Sequence, residues 1–305
     1  MNLDQYLTTK VAWCYYMEGM TQERIAQEFH LTRFKVIKML EEARDEKVVS
    51  FHIQGPGVNC LRIEKELIST YSLDDAFVIP STSDDLVSAI ATAASYYLAD
   101  KVRAEDVIGF GWGQTTGKTI SKIKVDSKLQ ASFVSLTGGV KYYIPYTDND
   151  EYSPESLRAK LYVIPSPFYL SSEEMARRIL QEPSVKVVFD LARTASFVLV
   201  GIGATTQDAT VIKENIITWD QMGILRRMGA VGDILGQFYT AEGEKLNAEL
   251  HRRIVGIDID TLRGKPNVIG IAAGDEKVEA IRGALRGKYI RTLITDERTA
   301  EQLLR

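Results

Sequence analysis

Cysteine and histidine are scarce in this sequence, with two of the first and three of the second among 305 residues. Cys14 falls in an apolar helical stretch and Cys60 beside a glycine-proline break, so neither a disulfide framework nor a zinc site is expected. His30 and His52 both lie in the first 54 residues, which leaves too few histidines for a metal centre elsewhere. No apolar run approaches the roughly 18 residues of a membrane span, and no charged-then-apolar leader opens the chain. A soluble, cytoplasmic protein without membrane attachment is expected. Charge of one sign is also missing: 37 Lys and Arg stand against 41 Asp and Glu, a net charge of −4. That excludes a generally basic nucleic-acid coat, so any contact with nucleic acid must be local. Neither a Walker spacing nor GxGxxG is present, because Gly111 and Gly113 lie at the wrong distance from Gly117-Lys118. No internal repeat or low-complexity segment occurs.

What is present begins with Thr21–Glu46, TQERIAQEFHLTRFKVIKMLEEARDE. Gly19 breaks a first helix whose buried face is Val11, Ala12 and Tyr15. Thr21 is placed to cap a short second helix with Ile25, Ala26 and Phe29 inward. His30-Leu31-Thr32 makes a tight turn, and Thr32 caps a third helix with Val36, Ile37, Leu40 and Ala43 inward. This spacing predicts a helix-turn-helix. Its candidate DNA contacts are Thr21 and Gln22, then Thr32, Arg33, Lys35 and Lys38 at the start of the recognition helix. The competing reading is a plain helical hairpin inside a larger fold. Val48–Gln54 alternates like a strand and is a candidate wing. Residues 1–54 carry seven basic and eight acidic side chains, so phosphate contacts per copy are few and useful affinity needs two or more copies.

Gln54-Gly55-Pro56-Gly57 is the expected boundary between a DNA-binding domain, 1–54, and a second domain, 55–305. Residues 59–71 form an amphipathic linker helix that pairs with another subunit or packs on its own core. From Asp75, short β-rich runs alternate with helical ones, which predicts an α/β domain with a largely parallel sheet. The expected strands are Ala76–Ile79, Val107–Phe110, Ser132–Leu136, Tyr162–Ile164, Phe197–Val200, Val268–Ala272 and Thr292–Thr295. The expected helices are Asp84–Lys101, Thr115–Lys124, Ser171–Leu180, Trp219–Arg227, Glu276–Arg286 and Glu297–Leu304. Asn149–Pro154 is a polar loop.

Ligands of open α/β sheets bind beyond the carboxyl ends of the strands, and glycine collects there. Gly111-Trp112-Gly113-Gln114-Thr115-Thr116-Gly117-Lys118 follows one strand and opens a helix. Such a loop offers close backbone approach, free N–H groups and hydroxyls, the chemistry of phosphate binding, although a bare turn has the same form. Thr137-Gly138-Gly139-Val140-Lys141 follows another strand, with Lys141 either meeting an anion, forming a Schiff base or remaining solvated. Gly201–Asp208 is a third glycine-rich exit. Gly229–Ile234 sets Asp233 among glycines as an acceptor for sugar hydroxyls. Ala273–Lys277 puts a cation in a helix's first turn, which an anion nearby would favour.

The pairing of VAWCYYMEGMTQERIAQEFHLTRFKVIKMLEEAR with GFGWGQTT, LTGGV, VGIGATTQDAT, GAVGDILGQFY and IAAGDEKVEAIRGALRGKYIRTLITDERTAEQLL resembles the SorC family of bacterial sugar-responsive transcriptional regulators. The resemblance covers nearly the whole chain and runs closest to quorum-signal and polyol-catabolism regulators. It implies an effector domain like the sugar-phosphate isomerases and deaminases, stripped of catalysis and without a cofactor. It also implies a homodimer or homotetramer on operator DNA, acting as a repressor released or re-tuned by a phosphorylated sugar or polyol. On these motifs, Gly113, Gln114, Thr115, Thr116, Gly138, Gly139 and Gly203 would form the phosphate loops. Lys277 would pair with the phosphate and Asp233 would hold hydroxyls. The segment after Gly138-Gly139 here reads Lys141-Tyr142-Tyr143, a stretch that varies in the family.

The alternative is an isomerase or deaminase of the same fold. It needs an acid and a base at the sugar, for which Asp208, Asp233 and Asp275 are available. The one histidine of this domain, His251, lies outside the motifs, and the N-terminal helices would have no purpose.

Overall fold

The computed structural model describes residues 3–49, 57–82, 85–123, 131–140 and 160–305. The chain divides into two compact units, Met1–Gly55 and Pro56–Arg305.

In the first unit, α1 (Leu3–Tyr16), α2 (Gln22–Glu28) and α3 (Arg33–Asp45) close around Val11, Ile25, Val36, Leu40 and Ala43. The Thr21 hydroxyl accepts from the Arg24 N–H (3.3 Å) and the Thr32 hydroxyl from the Lys35 N–H (3.2 Å), so each cap starts its helix where expected. Between them, His30 turns the chain at φ +53°, and the Leu31 N–H returns to the Ala26 carbonyl (2.8 Å). Met39 takes a core place on α3, while Ile37 is only half-buried. Thr32→Ala should cost about 1 kcal/mol of local stability. Hydrogen exchange at the Val36–Leu40 amides should quicken about fivefold; unchanged exchange would remove the cap from the account. Most of the expected wing, residues 50–54, lies outside the described residues, as do Lys141 and the loop 149–154.

The second unit opens with α4 (Val58–Tyr71). Its buried face, Cys60, Ile63 and Leu67, serves the unit's own core, and the Tyr71 hydroxyl donates to the Leu303 carbonyl (2.7 Å). Packing on its own domain, one of the two expectations for this helix, is observed.

Seven strands form one sheet: β1 (Asp75–Ile79), β2 (Val107–Phe110), β3 (Ser132–Ser135), β4 (Lys160–Tyr162), β5 (Phe197–Gly201), β9 (Val268–Ile271) and β10 (Thr292–Asp296). Their order is β1-β10-β9-β5-β2-β3-β4, and every neighbouring pair is parallel. Parallel strands are buried on both faces, which is why β9 and β10 read as continuous buried runs. One core layer draws on α4, α8 (Pro183–Arg193), α11 (Val278–Arg286) and α12 (Glu297–Leu303). The other draws on α5 (Leu86–Lys101), α6 (Gln114–Lys122) and α10 (Trp219–Arg227).

Several details differ from the sequence reading. The fourth strand is Lys160–Tyr162, not Tyr162–Ile164, because Ile164 donates its N–H to the Ser135 hydroxyl beyond the ladder. Helix α5 starts at Leu86, where the Asp85 carboxylate caps the Ser88 N–H (3.0 Å). Helix α8 was not anticipated, and α7 (Glu173–Ile179) ends just before it. A second, antiparallel sheet of β6 (Gly203–Ala204), β7 (Gly232–Ile234) and β8 (Gln237–Tyr239) was also absent from the expectation.

Candidate functional site

The chain runs from β2 to β3 in one direction across the sheet and from β5 to β9 in the other, so β2 and β5 are neighbours at a topological switch point. A crevice opens beyond the carboxyl ends of strands at such a point. Here it is a cavity of about 250 Å³ lined by the exits of β2 (Trp112–Thr116) and β5 (Gly201–Ala204, Thr206, Asp208), by Asp233 and Leu235, and by Glu276 and Lys277. Its size lies just under the ~300–1,000 Å³ of drug-sized pockets, which suits a single sugar better than a dinucleotide.

Each wall has a local cause. Gly113 sits at φ +128° and N-caps α6, whose first N–H groups, at Gln114, Thr115 and Thr116, have no acceptor within the helix. They carry the positive end of the helix dipole to the cavity wall. The Thr116 hydroxyl donates to the Gly113 carbonyl (2.9 Å), so that threonine braces the turn and has no proton left for an anion. Gly203 pairs with Asp233 across β6 and β7, and a Cβ at Gly203 would stand 2.1 Å from Asp233 Oδ1. Only glycine lets the two strands bring this carboxylate to the cavity.

Asp233 is buried, with Oδ2 accepting from the Gly236 N–H (3.0 Å). Burial pushes its carboxyl up to about 6, against the opposing pull of that N–H and of Lys277. Lys277 is half-buried in the turn before α11, and burial pulls its ammonium below the usual lysine range, with Glu276 and Asp233 opposing. A half-buried cation, a helix N-terminus and a buried carboxylate thus share one small cavity. The first two suit an anion and the third suits hydroxyls.

Of the expected effector residues, Gly113, Gln114, Thr115, Thr116, Gly203, Asp233 and Lys277 line this cavity together. Gly138 and Gly139 do not. They follow β3, which lies on the far side of β2, and Gly138 is pressed against the Ser166 and Pro167 carbonyls. Gly139 borders a separate pocket with Val140, Phe168, Tyr169 and Ile216. Lys141 lies outside the described residues. The sequence reading missed Lys213, on α9 (Thr210–Lys213), which lines the cavity and pairs with Asp208 (3.1 Å). The other candidate carboxylate, Asp275, is held by Arg298 and by Gln302 (2.6 Å). His251 accepts the Phe238 N–H on Nε2 (2.9 Å), stacks on that ring, and is not a wall of the cavity. Among the described residues no group of His, Cys, Asp or Glu is arranged to hold a metal.

In the first unit, Thr21, Gln22 and Arg33 border one shallow groove with Tyr15 and Met20. Lys35 and Lys38 are exposed on α3, Lys38 loosely paired with Glu42 (3.8 Å).

A helix-turn-helix unit on the same chain as a doubly wound domain with a sugar-sized cavity defines a ligand-responsive regulator. Comparison with known proteins agrees. Residues 56–305 match the family described as "Putative sugar-binding domain". The transcriptional regulator LsrR of Enterobacter sp. (strain 638) is 33% identical over 306 residues, 99% of this chain and 93% of its own length. LsrR of Escherichia coli (strain K12) is 33% identical over 301 residues, 97% of this chain and 93% of its own length. The crystal structure of the full-length sorbitol operon regulator SorC from Klebsiella pneumoniae superposes with a TM-score of 0.73 at 26% identity, covering 100% of both chains. The chain belongs to the SorC family of sugar-responsive transcriptional regulators. No helix among the described residues is long and apolar enough to cross a membrane.

Proposed function

We propose that this regulator is a cytoplasmic repressor of a carbohydrate or polyol catabolic operon, and that its effector is a phosphorylated sugar or polyol bound at the β2–β5 switch point. The observation that carries the reading is Lys277, a half-buried cation in the same cavity as the α6 N-terminus. In this reading the phosphate lies between them, Lys213 adds a second cation, and Asp233 orders the hydroxyls. The sparse basic surface of the first unit favours two or more copies acting on operator DNA. Control is then a matter of linkage: an effector that prefers one quaternary arrangement must change operator affinity by the same factor.

A panel of sugar and polyol phosphates, each beside its unphosphorylated counterpart, tests this through the thermal midpoint. A ligand that binds only the native state at 100 times its dissociation constant stabilises by about 2.7 kcal/mol. The midpoint should rise with one phosphate and not with its counterpart. A rise with the neutral compound alone would sink the phosphate assignment.

The domain is proposed to bind without turnover. The raised carboxyl of Asp233 favours one rival, since a general base near neutrality would have that property. Conversion of ribose 5-phosphate or an amino-sugar phosphate by the pure protein would decide for the enzyme.

A further inference from the structure

Phe34 is the most exposed of the large apolar side chains in the described residues, at 77%, and it occupies the second position of α3. Single exposed apolar residues are ordinary, so exposure alone says nothing. Position does. The buried residues of α3, Val36, Met39, Leu40 and Ala43, span an arc of about 100° at 100° per residue, and Phe34 projects on the opposite side of the helix. It therefore stands at the middle of the outward face, one turn before Lys38 and between Arg33 and Lys35 in sequence. All three cations are exposed, whereas the acids Glu41, Glu42 and Asp45 come later along the helix. Three cations around an apolar tip complement a groove whose walls are phosphates and whose floor carries an apolar group. In the major groove of DNA that group is the thymine C5-methyl, and phenylalanine is among the side chains that read it.

We infer that Phe34 packs against a thymine methyl in the major groove and sets the base preference at one position of each half-site. The inference rests on the first unit being the DNA-binding one. The test uses the full-length chain and a duplex selected by it from a randomised DNA library, with each thymine replaced in turn by deoxyuridine, which lacks only the methyl. One thymine per half-site should be sensitive, with affinity falling about fourfold, the worth of one buried methyl. Phe34→Ala should bind the parent duplex more weakly and lose that sensitivity, while Lys35→Ala should weaken all duplexes alike and flatten the salt dependence. If the chain selects a sequence but no deoxyuridine matters, or the same deoxyuridine matters equally in Phe34→Ala, the inference is overturned and the DNA-binding reading stands. If no sequence is selected, both fall.

Discussion

With Lys277 replaced by alanine, affinity for the phosphorylated effector should fall about a hundredfold, with no loss of thermal stability in the unliganded protein. The two halves of this expectation have the same origin. Burial depresses the ammonium's pKa, so the folded protein is carrying a cation it has incompletely solvated. Among the described residues the Lys277 side chain makes no hydrogen bond or ion pair, and Glu276 and Asp233 act on it only through their charge. Removing it therefore leaves no partner orphaned. A bound phosphate would provide the missing counter-charge, and hydrogen bonds between ionised partners contribute about 1.5–3 kcal/mol, the upper end of which is just over a hundredfold. Calorimetric titration of the wild type and Lys277→Ala with the phosphate chosen by the midpoint panel measures the ratio. A ratio near unity would take Lys277 out of the phosphate site. A large drop in the unliganded midpoint would show that the lysine is structural.

Much of this cavity was legible because strand-to-helix exits advertise themselves locally. Gly113 through Thr116 follows a β-rich run and opens a helix, so an anion-binding loop could be expected from eight consecutive residues. Lys277 and Asp233 stood out for similar reasons, one in a first turn and one among glycines. What local pattern does not carry is strand order. The Gly138-Gly139 exit looks as suitable as the others, yet β3 sits beyond β2 and its exit misses the cavity by one strand. The Gly203–Asp233 pairing was hidden for a related cause. It joins strands of two and three residues that are thirty positions apart, too short for any alternation to register. Lys213 escaped because its helix is a single turn without amphipathic period. Helix α8 opens on Pro183, and proline is well suited to the first turn of a helix, a start signal the sequence reading did not use.

Asp233→Asn should make the protein more stable near neutrality and a worse receptor. The buried carboxyl titrates at about 6 in the folded chain, against 3.8 for the unperturbed group. Between those values the native state holds a proton that the unfolded state has released, so stability is fullest below about pH 4 and is lost as pH rises through about 6. Two pH units correspond to roughly 3 kcal/mol. An asparagine keeps an oxygen for the Gly236 N–H and has nothing to ionise. At pH 4 the two proteins should therefore melt together. By pH 7.5 the variant should be ahead by up to about 3 kcal/mol, a figure already net of the attraction between Asp233 and Lys277. The effector should report the opposite cost. Exchanging an ionised acceptor for a neutral amide removes about 1–2 kcal/mol from hydrogen bonds to sugar hydroxyls, some five- to thirtyfold in affinity. Because those hydroxyls favour the ionised carboxylate, effector binding to the wild type near pH 6 should release a proton. Titrations in buffers of different ionisation enthalpy would detect that proton, and Asp233→Asn should remove the carboxyl's share, leaving only what the phosphate itself sheds. A wild-type-to-variant difference in melting that is constant from pH 4 to 8 would mean that Asp233 is not the titrating group. An unchanged effector affinity would mean that it does not touch the sugar.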